Sequence, residues 1–183
     1  MHELLTEDCN VLVRVMRNGV EVDSRAGHNV WTNTGREYSA LLKSYKRDGV
    51  TPFRSDRIAY VGLGSGTQPE TQDVRSVVMP VAFSPQGVWL KKIEHTRTVF
   101  PEAGSRLTVR YTARFTMNDF PGQETFISEC GLFTDGHFAT FNANERETDI
   151  TQSSFQAPVA YHTFAPIPKT PDIEIELIWE LRH

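Results

Sequence analysis

From Arg106 to Met117 every second residue is apolar or aromatic. Leu107, Val109, Tyr111, Ala113, Phe115 and Met117 alternate with Arg106, Thr108, Arg110, Thr112, Arg114 and Thr116. A two-residue period sends successive side chains to opposite faces of a strand, so this segment is predicted to be a strand with one dry and one wet face. Ile173, Ile175, Leu177, Trp179 and Leu181 repeat the pattern against Asp172, Glu174, Glu176 and Glu180. Ribbons of this kind must bury their apolar sides against a second layer. Each large side chain so buried contributes roughly 1.5–3 kcal/mol.

The N-terminal region predicts a hairpin. Asn18-Gly19 suits a type I′ turn, which needs positive φ at both central residues. That turn would set Val15 against Val22, Arg17 against Val20 and Arg14 against Asp23, with Val11, Val13, Val15, Val20 and Val22 on one face. A helix follows near residues 34–47. Thr34 and Glu37 have capping-box spacing, Tyr38, Leu41, Leu42 and Tyr45 form an apolar stripe, and Gly49 is a stop signal. Ile58–Val61 reads as a short buried strand running into a tight turn at Gly62-Leu63-Gly64-Ser65-Gly66-Thr67. Gly87–Phe100, Glu124–Phe133 and Phe138–Asn142 read as further strands, with Asp135-Gly136 as a hairpin turn. Pro158, Pro166, Pro168 and Pro171 restrict the stretch between them to edge or extended conformations.

The fold class expected is mainly β: an antiparallel β-sandwich, jelly-roll-like, of about eight strands, with the one short amphipathic helix. The predicted core comprises Val13, Val15, Val22, Leu41, Leu42, Leu107, Val109, Tyr111, Phe115, Leu132, Ile175, Leu177 and Trp179. Residues 1–183 read as a single domain with an N-terminal tail (1–10) and a polar loop or arm near 145–156. Within that arm Glu145, Arg146, Glu147, Thr148 and Asp149 are the candidate interface residues, on grounds of polarity and absent periodicity.

A net charge of −4 gives no electrostatic reason to expect direct nucleic-acid binding. Met1-His2-Glu3, with Glu7 and Asp8 close behind, lacks the basic start and apolar run of a secretory signal. The longest uncharged runs are broken by prolines, so no membrane helix is expected. Cys9 and Cys130 are the only cysteines, too few for a disulfide framework. They read as reduced thiols of a chain made in a reducing cytoplasm.

The search for reaction chemistry returns no constellation. The six histidines His2, His28, His95, His137, His162 and His183 show no zinc spacing. The Gly-x-Gly-x-Gly at 62–66 has neither the Lys of a P-loop nor a following apolar helix. Cys130 shares strand parity with Phe126 and Leu132, which marks it as core. Arg106, Arg110 and Arg114 form a basic row without interleaved aromatics, best read as cross-strand partners of acidic residues. No cofactor, no metal and no enzymatic activity are expected.

Four short motifs occur in order. They are Thr34-Gly35-Arg36; Val61-Gly62-Leu63-Gly64-Ser65-Gly66-Thr67 with Pro69 and Asp73; Glu129-Cys130-Gly131-Leu132-Phe133 with Gly136 and Phe138-Ala139; and Phe164-Ala165-Pro166-Ile167-Pro168-Lys169-Thr170 with Ile175, Leu177 and Trp179. Over about Val30 to Leu181 this order resembles a broad group of virion structural proteins of tailed bacteriophages, found in tail, fibre-attachment, baseplate, neck or capsid-decorating positions. After Asp73 the chain departs from that pattern, with Val74-Arg75-Ser76 in place of a Leu-containing acidic stretch. The resemblance implies a virion component made in the host bacterial cytoplasm. It also implies homo-oligomerisation, binding to other virion proteins and no catalytic residues. The alternative is a carbohydrate- or receptor-binding module at a tail-fibre tip, for which Trp31, Trp89 and Tyr161 are the aromatic candidates.

Overall fold

A computed structural model describes residues 9–43, 58–74, 76–82, 89–99, 108–120, 125–134 and 157–182. Among the described residues ten strands and one helix run in the order β1 (Cys9–Arg17), β2 (Val20–His28), β3 (Val30–Trp31), α1 (Asn33–Lys43), β4 (Ile58–Gly64), β5 (Leu90–Lys92), β6 (His95–Val99), β7 (Thr108–Phe115), β8 (Thr125–Thr134), β9 (Ala160–Lys169) and β10 (Ile173–Arg182). β3 and β5 are only two and three residues long, which leaves eight strands of ordinary length.

The strands form two antiparallel five-stranded sheets, β2-β1-β10-β7-β6 and β3-β9-β8-β4-β5. The pairs β1–β10, β3–β9 and β4–β8 are nested, because the chain doubles back on itself. The alternating residues of β10 decide where the core lies. Ile173, Ile175, Leu177, Trp179 and Leu181 are all buried. They line one face with Val11, Val13 and Val15 of β1 and with Ala113 and Phe115 of β7. Val61, Leu63, Ile127, Cys130, Leu132 and Ile167 of the second sheet belong to the same cluster. Val109 and Tyr111 are half-buried, and Tyr111 packs against the cluster.

On the wet face of the first sheet the arginines meet acids across the strands. Arg110 donates to Glu180 at 2.9 Å from Nε, Arg114 donates to Glu174 at 3.0 Å from Nε, and Arg14 donates to Glu176 at 3.3 Å. The arginine side chains of these pairs remain about 40–45% exposed, so each bridge contributes well under roughly 1 kcal/mol. Glu174 itself is buried, unlike its expected solvated position, because it lies against the Arg114 guanidinium.

The hairpin turn forms, with φ of 52° at Asn18 and 78° at Gly19, but its register differs from expectation. Arg17 faces Val20 and Met16 faces Glu21, yet Val15 faces Asp23 and Arg14 faces Ser24, because a bulge intervenes. Val22 is the extra residue. It is 52% exposed and Val20 is 64% exposed, so neither joins the core. β2 is a sheet edge, where a bulge breaks a ladder on one side only. Met117 is also exposed, since β7 ends two residues before it.

The helix starts at Asn33, and its cap is Thr32 rather than Thr34. Thr32 Oγ1 accepts from Gly35 N–H at 3.1 Å and donates to Pro158 O at 2.5 Å. Thr32 thus has a local partner in Gly35 and a tertiary one in Pro158. The side chains of Glu37, Leu41, Leu42 and Leu107, and all of Tyr45, Arg106, Asp135–His137 and Phe138–Asn142, lie outside the described residues.

β4 does not alternate, and every residue in it is buried. One face looks into the main core. The other lies under a second cluster of Tyr60, Val74, Val77, Trp89, Leu90, Phe133 and Tyr161. A strand covered on both sides reads as a continuous apolar run. The Gly62–Gly64 segment is therefore strand, not the tight turn its glycines suggest. A Cβ at Gly62 would lie 2.6 Å from the Trp89 ring, so glycine here makes room for that side chain.

Candidate functional site

Gly64 and Gly66 of the second motif meet Glu129 of the third on the outer face of the second sheet. Residues 65–74 and 76–80 cross this face as a strap. Ser65 N–H donates to Met79 O at 2.9 Å and Val81 N–H donates to Leu63 O at 3.0 Å. Glu129, on β8, is fully buried beneath the strap. Its Oε1 accepts from Gly66 N–H at 2.8 Å and Met79 N–H at 2.9 Å. Its Oε2 accepts from Val78 N–H at 3.1 Å and from the Tyr161 hydroxyl at 2.6 Å. Ser128 Oγ adds a bond to Gly66 O at 2.7 Å.

Close approach of strap and strand depends on missing side chains. A Cβ on Gly64 would sit 2.3 Å from Glu129 Oε1, and one on Gly66 would sit 2.5 Å from it. The Gly-x-Gly-x-Gly stretch thus cradles an internal carboxylate, not a bound phosphate. Burying a lone carboxylate costs several kcal/mol, and four charge-assisted donors offset that cost. Burial pushes the Tyr161 phenol above its ordinary value of 10, and the Glu129 carboxylate adds to the push, so Tyr161 stays a donor. A carboxylate whose oxygens are all engaged internally is suited to clamping, not to proton transfer with an outside molecule.

A second polar cluster ties the two sheets together. Glu70 Oε1, also in the strap, accepts from Thr163 N–H at 2.7 Å and Thr163 Oγ1 at 2.9 Å. It lies 2.9 Å from His162 Nδ1, out of line for a hydrogen bond from the ring. The His162 ring covers Gly27 of β2, where a Cβ would lie 2.4 Å from Cε1. Burial pushes the His162 imidazole below its ordinary 6.5. Glu70 opposes that push, while His28 raises it through its backbone and lowers it through its charge. The unfolded chain therefore binds this proton at higher pH than the folded one. His162 contributes stability that is present above about pH 6.5 and is lost as the pH falls through the folded value. Between about pH 7 and pH 5 the melting temperature of the natural chain should fall more steeply than that of His162→Gln. Parallel melting curves for the two would count against this role.

Cys130 sits opposite His162 in the β8–β9 register, which brings together two residues of a nucleophilic dyad. The thiol is nevertheless fully enclosed. Burial pushes it well above its ordinary value, and Glu70 and Glu129 push it further. A nucleophilic cysteine needs the opposite shift. Lys169, at the other end of β9, is buried with its Nζ donating to Thr170 O at 2.9 Å and lying 5.4 Å from the Phe120 ring centroid. Burial lowers its ammonium below the ordinary value, and Asp119, Asp172 and Glu174 oppose this.

The candidate interface residues Glu145, Arg146, Glu147, Thr148 and Asp149 lie outside the described residues. Of the three aromatics considered for sugar stacking, Trp89 and Tyr161 are buried and Trp31 is half-buried, so none forms an exposed platform. Among the described residues no group of three or more His, Cys, Asp or Glu is placed to hold a metal ion, and no helix is long and apolar enough to cross a membrane. Sequence reasoning missed the Glu129 clamp. Its one visible signal is an acid within the apolar run Ile127–Phe133. No family model, curated protein or solved structure matches the chain.

Proposed function

We propose that this chain is a non-enzymatic structural component of a tailed-phage particle, made in the host cytoplasm, that oligomerises and binds other virion proteins. One observation carries the reading. Glu129, the acid of the third motif, is spent internally, since it takes three strap amides and the Tyr161 hydroxyl. The resemblance in motif order then reads as selection for a stiff scaffold. A rigid two-sheet block with a strapped outer face suits repeated protein–protein contact better than turnover.

The 145–156 arm is the part of the sequence assigned to contacts between subunits. Deleting Glu145–Gln156 should leave the melting temperature within about 3 °C of the natural value while cutting incorporation into particles about tenfold or more. Incorporation is read by quantitative mass spectrometry of purified particles. Absence of the natural chain from particles would overturn the reading itself, and undiminished incorporation of the deletion variant would overturn the role of the arm.

A further inference from the structure

We propose that β2 is a self-pairing edge, by which two copies of the chain join β2 to β2 antiparallel about a two-fold axis through Ser24. This inference rests on the reading of the chain as an oligomerising structural protein, and it names the surface.

β2 is the terminal strand of its sheet, and no described residue pairs with its outer side. Nine residues of ladder present a row of backbone donors and acceptors about 30 Å long. The strand also exposes Val20 and Val22, at 64% and 52%. The sequence Val22-Asp23-Ser24-Arg25-Ala26 is self-complementary when turned about Ser24. Asp23 of each copy then faces Arg25 of the other, so two opposite-charge pairs form. Val22 faces Ala26. Within one chain Asp23 and Arg25 already pair, and both are accessible enough to exchange partners. The segment Asp23–His28 holds regular register with β1, and the bulge at Val22 confines the self-paired stretch to the residues around Ser24.

The wet face beside this edge supports the same partner. Ala26, Leu12, Ile178 and Thr112 lie in one register row across β2, β1, β10 and β7. Ala26, Leu12 and Ile178 of this row floor a groove of about 520 Å³ flanked by Asn10, Arg14, His28 and Arg110. The groove ends on β2 at Ala26 and His28. In the two-fold arrangement Val22 of the second copy stands opposite Ala26 at that end of the groove. Because both copies use the same edge, the association closes at two.

Sedimentation velocity on the full chain, over a concentration series, tests the interface. The natural chain should show a monomer–dimer equilibrium. Asp23→Arg and Arg25→Asp should each weaken it about tenfold or more, since each places two like-charge pairs across the axis. An equimolar mixture of the two variants should form a mixed dimer of natural strength, because every facing pair is then opposite in charge. A natural chain that stays monomeric, or variants that associate as strongly as it does, or a mixture no stronger than its parts, would each overturn the interface. The particle measurement described above is independent of all three outcomes, so failure of this edge and failure of the virion role are told apart.

Discussion

Glu129→Ala should lower the stability of the domain by roughly 4 kcal/mol or more, and its melting temperature by about 10 °C. The substitution removes the acceptor for Gly66, Val78 and Met79 N–H and for the Tyr161 hydroxyl at once. A buried donor left without a partner costs about 1–3 kcal/mol, and the enclosed Gly66 amide and Tyr161 hydroxyl cannot turn to water. Val78 and Met79 amides are only part-buried and recover some of the loss by hydration. Glu129→Gln should fall between the two, because it keeps the shape and one acceptor oxygen but aims an NH2 at donors. Tyr161→Phe removes a single charge-assisted bond and should cost about 1.5–3 kcal/mol. Chemical denaturation of the three variants would sink the clamp if Glu129→Ala unfolds at the natural midpoint.

Gly35→Ala should destabilise the chain by about 2 kcal/mol or more, against the usual direction for a helix. Replacing glycine by alanine inside a helix ordinarily gains roughly 1 kcal/mol. Here the added Cβ would lie 2.1 Å from the Val159 carbonyl oxygen and 2.8 Å from the Trp31 ring. The first of those atoms is backbone and cannot rotate aside. α1 would have to lift from the start of β9, taking with it the Thr32 bonds to Pro158 and Val159. A denaturation midpoint at or above that of the natural chain would show that the helix seats more loosely than this.

Period-two alternation made β7 and β10 legible because each has one dry face and one wet face, and only such a strand writes its faces into its sequence. The type I′ turn was legible for a similar reason, since Asn18-Gly19 answers a local steric demand. What followed the turn was not. The bulge that expels Val22 is a property of the pairing between strands, and no single strand records it. The helix cap moved from Thr34 to Thr32 because Thr32 finds Pro158 and Val159, partners 126 and 127 residues away. The glycines at 62, 64 and 66 read locally as a turn. Their cause is the bulk of Trp89 and Glu129 lying over them. Glu129 shows the limit most clearly: its role comes from three amides and a phenol on other segments, and only an acid among apolar neighbours hinted at it. The phage resemblance rests on motif order; of the motif residues, Gly64, Gly66 and Glu129 pack together around one carboxylate. Glu145–Asp149, which carried the interface expectation, are outside the described residues.

β10 lies between β1 and β7, with Cys9 opposite Leu181 in the register. The first sheet therefore has no centre until residues 173–182 have left the ribosome. Until then β1 has only the hairpin partner β2, and the valines of β1 wait uncovered. Completion of this sheet is governed by the slow search that long sequence separations impose. Newly made copies are exposed to wrong pairing in that interval, so temperature during expression should matter more to yield than the stability of the finished protein does.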